Sequence, residues 1–144
     1  TIDPNRVYTA EELARQEKFR DAAVYAKGAK GQETYVDKAE GTPMTPYNVA
    51  IADWFHAPEI SEINVEAWSG GIGQTIRVQA VDNVQVTQVN VVIMDTTNAV
   101  LEQGAAVQAE GAWWNYTTTA TAAAGAKIAV MALDLPGNIA EMNL

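Results

Sequence analysis

Hydrophobic positions along this chain switch period near residue 58. Beyond that point they alternate with polar ones, the two-residue period of half-buried β-strands. Ile76, Val78 and Ala80 fall on one face of a stretch running from Gln74 to Val81, with Thr75, Arg77 and Gln79 on the other. Val89, Val91 and Ile93 do the same over Gln88–Met94, and Ile128, Val130 and Ala132 over Lys127–Leu133. Further strands are predicted over Ile60–Ala67, Ala99–Val107 (interrupted by Gly104), Trp113–Thr119 and Ile139–Leu144. Turn residues separate them: Ser69-Gly70-Gly71-Ile72-Gly73, Val81-Asp82-Asn83-Val84, Asp95-Thr96-Thr97-Asn98, Glu110-Gly111 and Asp134-Leu135-Pro136-Gly137-Asn138. Seven short strands with regular punctuation predict a sandwich or barrel. Val84 and Val86 have the wrong parity for the strand they precede; either a bulge near Thr87 reconciles them or they cap the core from the loop.

Before residue 58 the pattern is helical. Thr9-Ala10-Glu11-Glu12 is a capping box, in which a hydroxyl and a carboxylate each satisfy the other's backbone N–H. A helix is predicted over Ala10–Lys27, closed by Gly28. Phe19, Ala22, Ala23 and Ala26 share one stripe at helical spacing, while Leu13 and Val24 lie on another side. A second helix is expected over Glu33–Glu40, ended by Gly41-Thr42-Pro43. Residues 1–7 and Thr42–Tyr47 are expected to be extended. The β-branched run Val49–Phe55, following Pro43 and Pro46, reads as a strand. The chain thus divides into a helical arm with an extended linker (residues 1–57) and a β-domain (residues 58–144).

Composition narrows the functions open to it. The 144 residues are 48% hydrophobic and carry a net charge of −9, enough apolar content for a folded core. The charge is uneven. Residues 1–58 hold seven Lys/Arg and nine Asp/Glu; residues 59–144 hold nine acidic side chains against Arg77 and Lys127 alone. So acidic a surface repels phosphate backbones and anionic lipid, which speaks against nucleic-acid and membrane-surface binding. It suits cations or a basic partner. With no cysteine, disulfides, thiolate catalysis and cysteine zinc sites are excluded. No run approaches the ~20 apolar residues of a membrane span. No signal peptide precedes Thr1, and a cytoplasmic location is the expectation.

Residues 58–144 resemble the bacterial immunoglobulin-like domains that occur in surface and secreted proteins. The likeness rests on Pro58-x-Ile60, on Gly73-x-x-Ile76-x-Val78-x-Ala80-x-Asp82, and on Val89-x-Val91-x-Ile93. It continues in Trp114-x-Tyr116 and in Ile128-x-Val130-x-Ala132-x-Asp134-x-x-Gly137-Asn138. The resemblance implies a mainly β fold: a seven-stranded immunoglobulin-like antiparallel sandwich, here a single copy preceded by a helical arm. It implies no active site.

Candidate chemistry is sparse. The single histidine, His56, and the two serines, Ser61 and Ser69, lie in no nucleophile motif. Gly70-Gly71-Ile72-Gly73 lacks the Lys-Ser/Thr ending of a phosphate loop. In an immunoglobulin-type topology the turns after the second and sixth strands share a pole with the start of the first. Asp82, Asp134, Asn138, Asp53 and His56 are therefore expected to converge there. Asp53, Asp82 and Asp134 form a candidate Ca²⁺ site, set against the simpler role of Asp side chains in bonding turn amides. Strand parity places Trp114 and Tyr116 inward and Trp113 outward. Trp113, with Trp68 beside the glycine loop, is a candidate sugar- or partner-binding surface. The expectation is a non-catalytic structural or protein-interaction module needing no cofactor, the alternative being a carbohydrate-binding accessory module. A homodimer through edge strands or the arm is compatible with either.

Overall fold

The computed structural model describes residues 7–144; of the lead-in expected to be extended, Val7 alone is among them. The chain divides after Phe55 into two compact units, one helical and one β.

In the helical unit, α1 spans Ala10–Ala29. The capping box forms: Thr9 Oγ1 accepts from the Glu12 amide at 3.1 Å, and Glu12 Oε2 accepts from the Thr9 amide at 3.1 Å. Gly28 does not close this helix, contrary to the sequence reading. The backbone stays right-handed through Lys30, whose N–H donates to the Ala26 carbonyl. Ala29 is buried one residue further on, so packing carries the helix past a residue that only weakens it. The second helix, α2, spans Glu33–Ala39, and Gly41 turns the chain with φ 75°.

The third segment corrects the sequence reading outright. Pro46–Phe55 is a helix, α3, where a strand was expected over Val49–Phe55. Pro46 occupies the first turn, where a missing N–H costs nothing. Thr45 Oγ1 accepts from the Asn48 amide at 3.2 Å, in the manner of an N-cap. A seven-residue apolar run has no decisive period, and the cap before it settles the choice.

Helix α1 packs on α3 through Ala22 and Ala26, with Val49 and Ala50 buried on the other side. Phe19, placed in that stripe by its spacing, is 57% exposed instead. One hydrogen-bond chain ties all three helices. The Tyr25 hydroxyl of α1 bonds that of Tyr35 on α2, which donates to Asp53 Oδ2 of α3 at 2.7 Å. Tyr35 is fully buried. Burial first, then its bonds to Tyr25 and Asp53, push its phenol far above the ordinary range, so it remains a donor at any working pH.

The β unit is two four-stranded antiparallel sheets. One contains β1 (Glu59–Asn64), β2 (Thr75–Val81), β6 (Trp113–Thr117) and β5 (Val107–Gln108), adjacent in the order β1-β2-β6-β5. The other contains β4 (Val100–Ala105), β3 (Val86–Met94), β7 (Lys127–Asp134) and β8 (Ile139–Asn143), in the order β4-β3-β7-β8. The strands number eight, not seven. The segment read as one strand interrupted at Gly104 breaks at Ala106 instead. β4 pairs with β3, and β5 crosses to pair with β6. The bulge near Thr87 is present as a register shift between Val86 and Gln88.

The core lies between the sheets. Ile76, Val78, Val89, Val91, Ile93, Ile128 and Val130 are each 0–1% exposed, with Trp114 and Tyr116 supplying the bulk. Alternation along each strand produces this directly: β7, for example, buries every second residue from Ile128 to Asp134.

Removing the Tyr35 hydroxyl tests the link between helices. Tyr35→Phe leaves the ring and deletes the bonds to Tyr25 and Asp53. A loss of about 1–3 kcal/mol is expected for a buried hydrogen-bonded group, read as a lower urea midpoint of the helical circular-dichroism signal. An unchanged midpoint would show that packing alone holds the three helices.

Candidate functional site

Two polar clusters and one apolar face are the features of the sandwich that bear on function. Among its described residues the buried polar side chains are Glu102, Thr118 and Asp134.

Asp82 and Asp134 meet at one pole. Asp82 follows β2; its Oδ2 accepts from the Val84 and Gln85 amides at 3.0 and 3.1 Å. Asp134 ends β7; its Oδ1 accepts from the Asn138 amide at 2.7 Å and its Oδ2 from Asn138 Nδ2 at 3.1 Å. The same Asn138 Nδ2 donates to the His56 carbonyl at 3.3 Å, just before β1 begins. The turns after β2 and β7 and the start of β1 therefore share a pole, as the topology implied. A carboxylate oxygen of Asp82 lies within 4.8 Å of one of Asp134. Burial raises the Asp134 pKa; the bonds from Asn138 and Gly137 oppose the rise and the Asp82 charge adds to it. The geometry is that of two turns held by carboxylates. Asp53, grouped with these two on sequence grounds, belongs to the helical unit and accepts there from Tyr35.

Sequence reasoning missed the cluster at the other pole. Glu102 faces inward from the edge strand β4, 9% exposed. Its Oε1 accepts from Tyr116 Oη of the opposite sheet at 2.5 Å, from the Thr119 amide at 2.9 Å and from Thr119 Oγ1 at 3.2 Å. Its Oε2 accepts from the Ala120 amide at 2.9 Å. Burial pushes this carboxyl upward, but four donors outweigh burial and its pKa is lowered. Tyr116 is pushed up to about 12 by burial and by Glu102. Gly104 completes the arrangement: a Cβ there would sit 3.1 Å from the Tyr116 ring.

The same pole closes the glycine loop. Thr118 Oγ1 donates to the Gly71 carbonyl at 2.7 Å and accepts from the Gln74 amide at 3.0 Å. The Ala122 amide donates to the Gly70 carbonyl at 2.9 Å, and a Cβ on Gly70 would lie 2.2 Å from the Ala122 oxygen. That glycine, with φ 92°, is there for close backbone approach. Both serine hydroxyls serve local structure, Ser61 donating to Gln79 and Ser69 engaging Gln74.

The candidate tryptophans differ from one another. Trp113 faces outward, half-buried, with the Arg77 guanidinium 4.5 Å from its ring centroid; Arg77 is itself held by Asn115 Oδ1 at 3.3 Å. One ring face of Trp113 is thus occupied by a cation–π contact. Trp68 packs against the core, and its indole N–H is enclosed without an acceptor.

The two outer sheet faces also differ. Facing outward from β2 and β6 are Thr75, Arg77, Gln79, Val81, Trp113, Asn115 and Thr117, mostly polar as is usual for a solvated face. From β3 and β7 the outward residues are Gln88, Asn90, Val92, Met94, Lys127, Ala129, Met131 and Leu133, five apolar side chains among three polar ones. Val92 pairs with Ala129 across the strands. A depression of about 400 Å³ and another of about 310 Å³ share Val92 and Met131 in their linings.

No protein-family model matches this chain, and no curated protein matches it. Among solved structures it is similar to CopC from Methylosinus trichosporium OB3b. The TM-score is 0.45 and the identity 16%, over 60% of this chain and 87% of that one. It is also similar to a conjugative transposon lipoprotein from Bacteroides eggerthii DSM 20697, with TM-score 0.33 and 12% identity, over 62% of this chain and 93% of that one. At these values neither likeness assigns an activity, ligand or partner to this chain. Among the described residues, no helix is long and apolar enough to cross a membrane.

The Glu102 cluster has a definite pH signature. A carboxyl with a depressed folded pKa contributes stability that is fully present above its unfolded value and is lost as pH falls through the folded one. Glu102→Gln should therefore cost on the order of 2 kcal/mol at pH 7, and the gap to wild type should close as pH drops below the ordinary 4.5. Thermal midpoints of both proteins across pH 3–7 measure this. A gap independent of pH would mean that the Glu102 charge does no work.

Proposed function

We propose that the chain carries a non-catalytic binding module. Its contact surface is the outward face of the sheet β4-β3-β7-β8, and its partner is a protein with an apolar patch rimmed by basic groups. The carrying observation is the apolar centre of Val92, Met94, Ala129 and Met131, bordered by Gln88, Asn90 and Lys127, on a face richer in apolar side chains than the outer face of the opposite sheet. Methionines adapt to irregular partner surfaces at little cost, and contiguous exposed apolar area marks interaction sites. Charge at the patch itself is mixed, with Lys127 and Glu141 in its lining; support for a basic partner comes from the domain as a whole, nine acidic side chains against two basic ones in residues 59–144. The strand orders β1-β2-β6-β5 and β4-β3-β7-β8 correspond to the ABED and C′CFG sheets of immunoglobulin-like sandwiches, a fold used widely for binding.

A photo-cross-linking amino acid at Met131, and another at Gln79 on the opposite outer face, test this in extracts of the source organism. A protein adduct is expected from position 131, absent from position 79, weakened by salt and abolished by Val92→Asp. Identical adducts from both positions, or none from 131, would overturn it.

A second reading, a divalent cation at Asp82 and Asp134, is supported by the like-charge pair and the raised Asp134 carboxyl. Calcium takes six to eight oxygen ligands, and binding would relieve the repulsion that burial intensifies. Millimolar Ca²⁺ should then raise the melting temperature relative to EDTA in wild type and not in Asp134→Asn. Equal midpoints in both solutions would dispose of it, leaving the two carboxylates as turn clamps.

A further inference from the structure

Helix α1 presents two faces, and one of them has no use within the helical unit. Its buried residues are Ala22, Ala26 and Ala29, all on one side and all in its C-terminal half. No residue from Ala10 to Asp21 is buried. Three turns of solvent-exposed helix are marginal by themselves, since isolated helices shorter than ~12–15 residues barely form in water.

The opposite side carries Leu13, Glu17, Arg20 and Val24. At 100° per residue these four fall within an arc of ~60°, facing away from the buried alanines. Leu13 is 50% exposed and Val24 74%. Their spacing of four, three and four residues reads the same in both directions. Their chemistry does not: it runs apolar, acidic, basic, apolar. Reversal places an apolar side chain against an apolar one and an acid against a base.

We propose that this face docks on the same face of a second copy, with the two α1 helices antiparallel about a twofold axis between Glu17 and Arg20. Leu13 meets the partner's Val24, Glu17 meets the partner's Arg20, and symmetry repeats each contact. A parallel arrangement sets Glu17 on Glu17 and Arg20 on Arg20, which like-charge repulsion disfavours. Antiparallel packing also brings Lys27 to the acidic first turn of Glu11 and Glu12, opposing the two helix dipoles. The second copy supplies what the exposed half of α1 lacks, an apolar surface to pack on.

The absence of native cysteine makes the test direct. In the antiparallel pair, positions 13 and 24 of different chains are neighbours. Position 13 lies ~16 Å from its symmetry mate, as it does from position 24 of its own chain, by the 1.5 Å rise per residue. With a bis-maleimide linker of ~8 Å reach, therefore, the double variant Leu13→Cys/Val24→Cys should give covalent dimers of the full chain, and neither single variant should. Sedimentation supplies the second arm. Glu17→Arg should weaken the dimer about tenfold or more by opposing two arginines, and Glu17→Arg/Arg20→Glu should restore it. Circular dichroism confirms folding, since all these positions are exposed. The proposal is overturned if wild type sediments as a monomer at every concentration reached. It is equally overturned if single-cysteine variants cross-link as well as the double one, or if the charge swap fails to rescue.

Discussion

A carboxylate buried between two sheets has to be neutralised, protonated or surrounded by donors, and Glu102 takes the last course. Its four donors come from Tyr116 on the opposite sheet and from residues 119 and 120 of the loop that leaves β6. One side chain on an edge strand thereby ties together two sheets and a loop. That loop in turn fixes the glycine-rich turn through Thr118 and Ala122. The desolvation cost of the charge is large and is offset only if every bond is made. This makes the clamp a source of specificity for one strand register, beyond whatever net stability it contributes. Gly104 and the Tyr116 ring must be as close as they are for the carboxylate and phenol to meet.

The polar interior of the sandwich is thus concentrated at its two poles, while the middle is filled by valine and isoleucine. Asp82 and Asp134 close one end, Glu102 and Thr118 the other. Asp82 Oδ2 and both Asp134 oxygens at one end, and both Glu102 oxygens at the other, are engaged by amides and hydroxyls. The outer faces divide the remaining work. One is mostly polar, with Arg77 laid over Trp113. The other exposes Val92, Met94 and Met131, and no hydrogen-bonding demand explains apolar side chains there. In the helical unit the same logic recurs at smaller scale: small alanines permit close helix contact, and a Tyr-Tyr-Asp chain fixes the arrangement.

The sandwich was largely legible because a two-residue alternation is a strong signal when one face is buried. Strands β2 and β7 follow it residue by residue and β3 does from Gln88 onward; of the two readings open for the parity break before Gln88, the structure shows the bulge. Legibility failed where a helix cap or tertiary packing outweighs the preference of the run itself. Val49–Phe55 has β-branched residues and preceding prolines, yet Thr45 and Pro46 start a helix there. Gly28 has the form of a C-cap, yet Ala29 packs and the helix continues. The crossing of β5 to the other sheet leaves no local trace, because Ala105 and Val107 are equally plausible in one strand or two. Of the candidate site, the meeting of Asp82, Asp134 and Asn138 at one pole followed from topology. Glu102 did not, since a buried glutamate is recognisable only once its donors, 14 to 18 residues further along, are seen around it.

The dependence of both sheets on the Glu102 charge is tested most directly at the amides it holds. Hydrogen exchange at the Thr119 and Ala120 N–H groups, followed by NMR across pH 3–7 and corrected for intrinsic rates, reports on those bonds alone. Strong protection at neutral pH is expected, lost in acid below the ordinary glutamate range while the amides of β3 and β7 stay protected. Thr119 and Ala120 amides that exchange freely at pH 7, or that keep full protection after Glu102 is protonated, would contradict the central role of that carboxylate.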